Sequence, residues 1–180
     1  MASEALAGLT SLQNLDLSGN GLRSMPPEEL CHLPSLTSLD LSHNQLGSVV
    51  DLGLMASQCR LLRLENLDLS ANEITTLHSH LLNAYWPQLK SLNVKNNFVR
   101  HVEAVEAARG LDKCSLDYIN LSNNQINALP SGMFEKCHNL KTLDLANNRY
   151  VFAHNYLLGQ FLVENRPILR LVYISPKNGS

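Results

Sequence analysis

The sequence predicts a right-handed, curved α/β solenoid, with one parallel sheet on its concave face and loops or short helices on its convex face. Three observations carry this expectation. Leucine and asparagine are over-used, at 36 and 19 of 180 residues. Six segments fit one template, L-x-x-L-x-L-x-x-N-x-L, with Ile, Val or Tyr replacing a few leucines. They are LQNLDLSGNGL (12–22), LTSLDLSHNQL (36–46), LENLDLSANEI (64–74), LKSLNVKNNFV (89–99), LDYINLSNNQI (116–126) and LKTLDLANNRY (140–150). Their first leucines, at 12, 36, 64, 89, 116 and 140, lie 24, 28, 25, 27 and 24 residues apart. A fixed period of this length is the signature of stacked repeats.

Each part of the template has a physical role. In x-L-x-L-x, alternate residues face opposite sides, as in a strand with one buried face. The asparagine at the ninth position suits the turn that follows, because Asn tolerates unusual backbone angles and its amide can satisfy main-chain groups. Stacking would align Asn20, Asn44, Asn72, Asn97, Asn124 and Asn148 as a structural ladder. Three residues after each template come Met25, Val49, Leu77, Val102, Leu129 and Ala153, all apolar. Three residues before each come Leu9, Leu33, Leu61, Trp86, Lys113 and Cys137, where Cys114 or Leu111 is expected to fill in for Lys113. The spacer VEAVEAARG (102–110) reads as a helix closed by Gly110. The spacer DLGLMASQCRLL (51–62) is less regular.

These segments resemble the leucine-rich repeat family over roughly residues 6 to 153. The resemblance implies a single domain over 1–180, with 1–11 as part of a preceding repeat and 151–180 as a degenerate C-terminal cap or seventh repeat. ILRLVYIS (168–175) reads as a further strand or as that seventh coil, with Leu169, Val172 and Ile174 as its leucines. The spacer ALPSGMFEKCHNL has the L-P-x-x-x-F spacing of the longer, mostly extracellular repeats. The finer likeness is therefore to the extracellular repeats of Toll-like receptors and related secreted or surface proteins, an innate-immunity setting. At the C-terminal end, Phe152 and His154 stand where the secreted family's cap has two cysteines, so that cap's disulfides are not expected. An intracellular scaffold or regulatory subunit is the alternative, and a fragment or engineered array without an evolved ligand is a weaker one.

Composition narrows the function classes. Fourteen Lys and Arg against sixteen Asp and Glu give a net charge of −2, and the pI is about 6.4. No basic surface for nucleic acid is implied. Hydrophobic residues make up 44% and charged residues 17%, too apolar for disorder. No apolar run approaches a membrane span, and the opening Met1-Ala2-Ser3-Glu4-Ala5 has neither half of a signal peptide. There is no G-x-S-x-G, H-E-x-x-H, phosphate-cradling glycine loop or C-x-x-C. The seven histidines, at 32, 43, 78, 80, 101, 138 and 154, fall in different template positions. No enzyme, metal site or cofactor is expected. A Cys31–Cys59 disulfide is geometrically conceivable, but two small buried thiols are the expected state, with Cys114 and Cys137 as core fillers. Asn120-Leu121-Ser122 and Asn178-Gly179-Ser180 are N-glycosylation sequons.

The resemblance implies protein recognition, and the solvent-facing strand positions form the candidate surface. The second-position column is Gln13, Thr37, Glu65, Lys90, Asp117 and Lys141. The third is Asn14, Ser38, Asn66, Ser91, Tyr118 and Thr142; the fifth is Asp16, Asp40, Asp68, Asn93, Asn120 and Asp144. The seventh is Ser18, Ser42, Ser70, Lys95, Ser122 and Ala146. From these the expected partner-binding set is Asn14, Asp16, Ser38, Asp40, Asn66, Asp68, Ser91, Asn93, Lys95, Tyr118, Asn120, Thr142 and Asp144. Tyr118 is its one large anchor. Six strands at about 4.8 Å and four residues at about 3.3 Å give a strip of roughly 300 Å². A standard interface takes about 800 Å² from each side, so the sheet is expected to recruit its loop edges. The uncovered first coil, with Leu9 and Leu12, is expected to self-associate.

Overall fold

A computed structural model of the chain describes residues 6–24, 27–47, 61, 63–78, 88–103, 114–130, 133–134, 137–149 and 171–173. Seven three-residue strands make the main sheet. They are β1 (Asn14–Asp16), β2 (Ser38–Asp40), β3 (Asn66–Asp68), β5 (Ser91–Asn93), β7 (Tyr118–Asn120), β8 (Thr142–Asp144) and β9 (Leu171–Tyr173). They pair in that order, every pair parallel. The register is strict: Leu15, Leu39, Leu67, Leu92, Ile119 and Leu143 stand side by side, and Val172 continues the row.

Backbone pairing runs well beyond three residues per coil. Thr37 N donates to Gln13 O at 2.8 Å, Leu17 N to Asp40 O at 2.9 Å and Gly19 N to Ser42 O at 3.0 Å. The same bonds recur at later coils, for example from Lys90 N to Glu65 O at 2.8 Å. Past the asparagine the coils meet again, where Gln45 N donates to Leu22 O and Phe98 N to Ile74 O. Burial supplies the driving force. In the second to sixth coils, every described template leucine or its substitute is at most 2% exposed. Each such side chain contributes about 1.5–3 kcal/mol of transfer free energy. In the first coil, Leu12, Leu15, Leu17 and Leu22 are only partly buried.

Among the described residues the outer side carries a short helix and a second pair of strands. The one helix among the described residues is α1 (Pro27–Cys31). Val102 and Glu103, at the head of the predicted 102–110 helix, instead belong to β6 (His101–Glu103). This strand pairs in parallel with β4 (Thr76–His78) as a second, two-stranded sheet. Val102 sits opposite Leu77, and both are buried; packing of a β-branched residue at a coil-to-coil contact outweighs the helix formers that follow. The rest of that spacer, residues 51–60, Met25, Val49, Trp86, Lys113, Phe152, Ala153 and His154 lie outside the described residues.

Two sequence expectations about the chain's covalent and backbone state are corrected. Cys114 and Cys137 are not separate core fillers but a disulfide, with Cα atoms 4.7 Å apart. Both are buried, in adjacent coils, and Cys114 occupies the column that Lys113 breaks. Cys31 is disulfide-bonded too, not a thiol; Cys59 lies outside the described residues. Secondly, the unusual backbone angle belongs to the eighth template position, one residue before the ladder asparagine. Gly19, His43, Ala71, Asn96, Asn123 and Asn147 all have φ between 53° and 66°. This left-handed region favours Gly and Asn, which hold four of the six places.

Candidate functional site

Rigidity of the sheet face comes from the ninth-position asparagines. Asn72 Nδ2 donates to Leu41 O of the preceding coil at 2.9 Å, and to Leu69 O and Ser70 O of its own coil. Its Oδ1 accepts from Leu46 N at 3.0 Å. Asn97, Asn124 and Asn148 repeat this pattern. Asn44 adds a second accepted bond, taking both Asn20 N and Leu22 N. These five amides are at most 6% exposed. Asn20 is exposed, and its side chain donates only to Ser18 O.

The fifth-position column does local work of its own. Oδ1 of Asp16, Asp40, Asp68, Asn93, Asn120 and Asp144 each accepts the backbone N–H two residues on, at 2.8–3.2 Å. This is the Asx turn that releases the chain from the strand. Hydrogen bonds from the Ser18 hydroxyl first, and the Ser18 N–H second, hold the Asp16 carboxyl below its ordinary value of 3.8. The second oxygen of Asp68 accepts from Asn93 Nδ2 at 2.8 Å, so both Asp68 oxygens are engaged.

Asn120 does not fit its two expected roles. It is 7% exposed, its Oδ1 takes both the N–H and the hydroxyl of Ser122, and its Nδ2 donates to Tyr118 Oη at 3.1 Å. The nitrogen that a glycan would occupy is buried and bonded, and the side chain offers a partner almost no surface. Asn178 lies outside the described residues.

The remaining expected residues do share one surface. Asn14 and Asn66 are exposed; Ser38, Asp40, Asp68, Ser91, Asn93, Lys95, Tyr118, Thr142 and Asp144 are half-buried, and Asp16 is exposed. Tyr118 stands in register between Ser91 and Thr142. Beside it, the second-position column forms cross-coil ion pairs that the alternating signs in the sequence could have revealed. Lys90 Nζ meets Glu65 at 2.8 Å and Lys141 Nζ meets Asp117 at 3.2 Å. These side chains are 35–54% exposed, so each pair contributes at most about 1 kcal/mol. Across the four columns, six acids face three lysines, a net of −3. Among the described residues no cluster of three or more His, Cys, Asp or Glu could hold a metal. No described helix is long and apolar enough to cross a membrane.

Known families place this geometry. A model described as "Leucine rich repeat" matches residues 1–46, "Leucine Rich Repeat" matches 35–61, and "Leucine Rich repeats (2 copies)" matches 114–151. The chain belongs to the leucine-rich repeat family. Over 144 residues, 77% of its length, this leucine-rich repeat chain is 37% identical to mouse podocan-like protein 1. Over 75 residues, 39% of its length, it is 37% identical to mouse PH domain leucine-rich repeat-containing protein phosphatase 1. The corresponding rat phosphatase matches to the same extent. The chain spans 24% of the podocan-like protein and 4% of the phosphatases. None of these relatives is a Toll-like receptor, so the finer likeness drawn from the spacers is not carried by them.

Proposed function

We propose that this leucine-rich repeat chain is a binding module, not an enzyme, and that it recognises a protein partner outside the cell through the main sheet. The observation that carries the reading is the set of side chains displayed on the first six strands of the sheet in strict register, centred on Tyr118 and edged by the Glu65–Lys90 and Asp117–Lys141 pairs. The ladder asparagines fix the backbone under that face, so little ordering cost remains for binding. A cell-surface receptor of the Toll-like kind is one setting for such a face, and a secreted repeat protein is another.

The disulfides support the extracellular side of this reading. Disulfides such as Cys114–Cys137 and that of Cys31 are typical of oxidising compartments, which weighs against an intracellular regulatory role. A screen of the full chain against an array of secreted and surface proteins tests the proposal. Any partner found is expected to lose at least tenfold in affinity with Tyr118→Ala or Asn66→Arg. It is expected to be unaffected by Glu73→Arg, which lies off the sheet. Wild-type affinity in both sheet variants would overturn the reading. Thiol alkylation of the chain purified from cells, with all cysteines blocked only after reduction, is the matching test of compartment.

A further inference from the structure

The loop edge that follows the sheet carries the opposite charge. At the eighth, tenth and twelfth positions of the coils, the described residues include Arg23, Arg100 and Arg149 against one acid, Glu73, a net of +2 with His43 neutral. Two of the arginines are held by one repeated device. Arg23 Nε donates to Gln45 Oε1 of the next coil at 3.0 Å, and Arg100 Nε donates to Gln125 Oε1 at 3.1 Å. Both guanidinium groups are exposed, and among the described residues their Nη groups have no partner. Each is thus a fixed fork with its two-pronged end turned to solvent, the geometry that takes a carboxylate in two parallel bonds.

Beside Arg100, in the same coil, stands Phe98, 50% exposed, in a column otherwise made of Gly21, Gln45, Glu73, Gln125 and Arg149. The backbone beneath is clamped coil to coil: Phe98 N donates to Ile74 O at 2.9 Å, Arg100 N to Thr75 O at 3.0 Å and Gln125 N to Val99 O at 2.9 Å. Aromatic residues, Phe included, and Arg are enriched at protein interfaces. Arg23 and Arg100 lie three coils apart, about 14 Å at the strand spacing, which four residues of an extended segment span.

We propose that this edge is a second binding surface, taking an acidic segment of a partner protein that also presents an apolar side chain to Phe98. Nothing in it depends on the sheet face binding anything. The probe is a fluorescein-labelled peptide with two glutamates four residues apart and a leucine beside the second, titrated against the full chain by anisotropy. Saturable binding is expected, with no binding of the peptide in which glutamine replaces both glutamates. Phe98→Ser is expected to weaken it at least tenfold. Arg100→Lys, which keeps the charge and loses the fork, is expected to weaken it at least fivefold, and Arg23→Lys by a similar factor. Lys90→Gln, on the sheet face, is expected to leave it unchanged. All four side chains are at the surface, and equal thermal melts confirm that each variant is folded. Absence of binding overturns the proposal, as does equal binding by the Phe98 and arginine variants. Heparin binding at this edge while the peptide stays inert would also overturn it, assigning the arginines to a sulfated polysaccharide.

Discussion

The first coil and the third are built on nearly the same words, LQNLDLSGNGL and LENLDLSANEI, yet they differ physically. In the third, Leu64, Leu67, Leu69 and Ile74 are 0–2% exposed. In the first, Leu12, Leu15, Leu17 and Leu22 are only partly buried. Asn72 ties two coils together with four hydrogen bonds, whereas Asn20 donates one within its own loop. A repeat template therefore specifies conformation, while position in the stack decides how much each residue contributes. A coil gains its core from both neighbours, and the first has only one among the described residues.

The largest effect that tests this contrast is a leucine truncation. Leu67→Ala removes a side chain 2% exposed, and is expected to cost about 2–5 kcal/mol. Leu15→Ala, at the equivalent place in the first coil, is expected to cost about 1 kcal/mol, because part of that side chain already meets water. Urea melts of both measure the difference. Equal losses would mean that the first coil is as well covered as the third.

The asparagine ladder gives the next contrast. Asn72→Ala strands the buried Leu46 N–H and withdraws a donor from Leu41 O. An unpaired buried group costs about 1–3 kcal/mol. Asn20→Ala leaves only Ser18 O to be met by water, and is expected to cost a few tenths of that. Comparable melts for the two would remove the ladder as an interior element.

How much of this was legible follows from where the information sits. The strands, their parallel order and the buried leucines follow from period-2 alternation within a 24- to 28-residue period, both visible in the sequence. The asparagine column was legible too, though not its geometry: the left-handed residue is the one before it, as the Gly19, Asn96, Asn123 and Asn147 column signals. The Cys114–Cys137 bond was missed because the partners occupy different offsets from their templates, at two and three residues before Leu116 and Leu140. Strand β6 was missed because Val102 heads a run of helix formers, and local propensity cannot report that Leu77 lies one coil away. On the sheet face, the outward direction of the fifth column was readable. That each of its side chains turns one oxygen back to its own backbone was not, nor that Asn120 alone is buried and also bonded to the Ser122 and Tyr118 hydroxyls.

The eighth position offers a smaller effect of opposite sign. Ala71 holds φ at 53° with a Cβ, as Gly19 holds 66° without one. Ala71→Gly or Ala71→Asn is expected to raise stability by about 0.5–1 kcal/mol, since a non-glycine residue there costs roughly 1–2 kcal/mol and Gly returns part of it as unfolded-chain entropy. A gain seen in thermal melts for both, with Ala71→Val destabilising, sharpens the difference between a position that needs its backbone angle and one that needs its side chain. Loss of stability in both would show that the Ala71 methyl contributes packing that outweighs its strain.

The smallest effect concerns Asp16 in the first coil. The Ser18 hydroxyl and N–H stabilise its charged form, so its folded value lies below 3.8. The sign follows directly. Above the unfolded value, near 3.9, the carboxylate is ionised in both states and its bonds to Ser18 add fully to stability. As pH falls through the lower folded value, the proton is taken up and that contribution disappears. The loss is therefore confined to pH below about 4, and is small because Asp16 faces water. Carbon-detected NMR of the Asp16 carboxyl is expected to show its midpoint below 3.8, and Ser18→Ala to move it upward while leaving the N–H bond in place. A midpoint at or above 3.8 in the native chain, or one unmoved by Ser18→Ala, would mean that the first coil's Asx turn is open in solution. The contrast between the first coil and the third would then extend from the core to the surface turns.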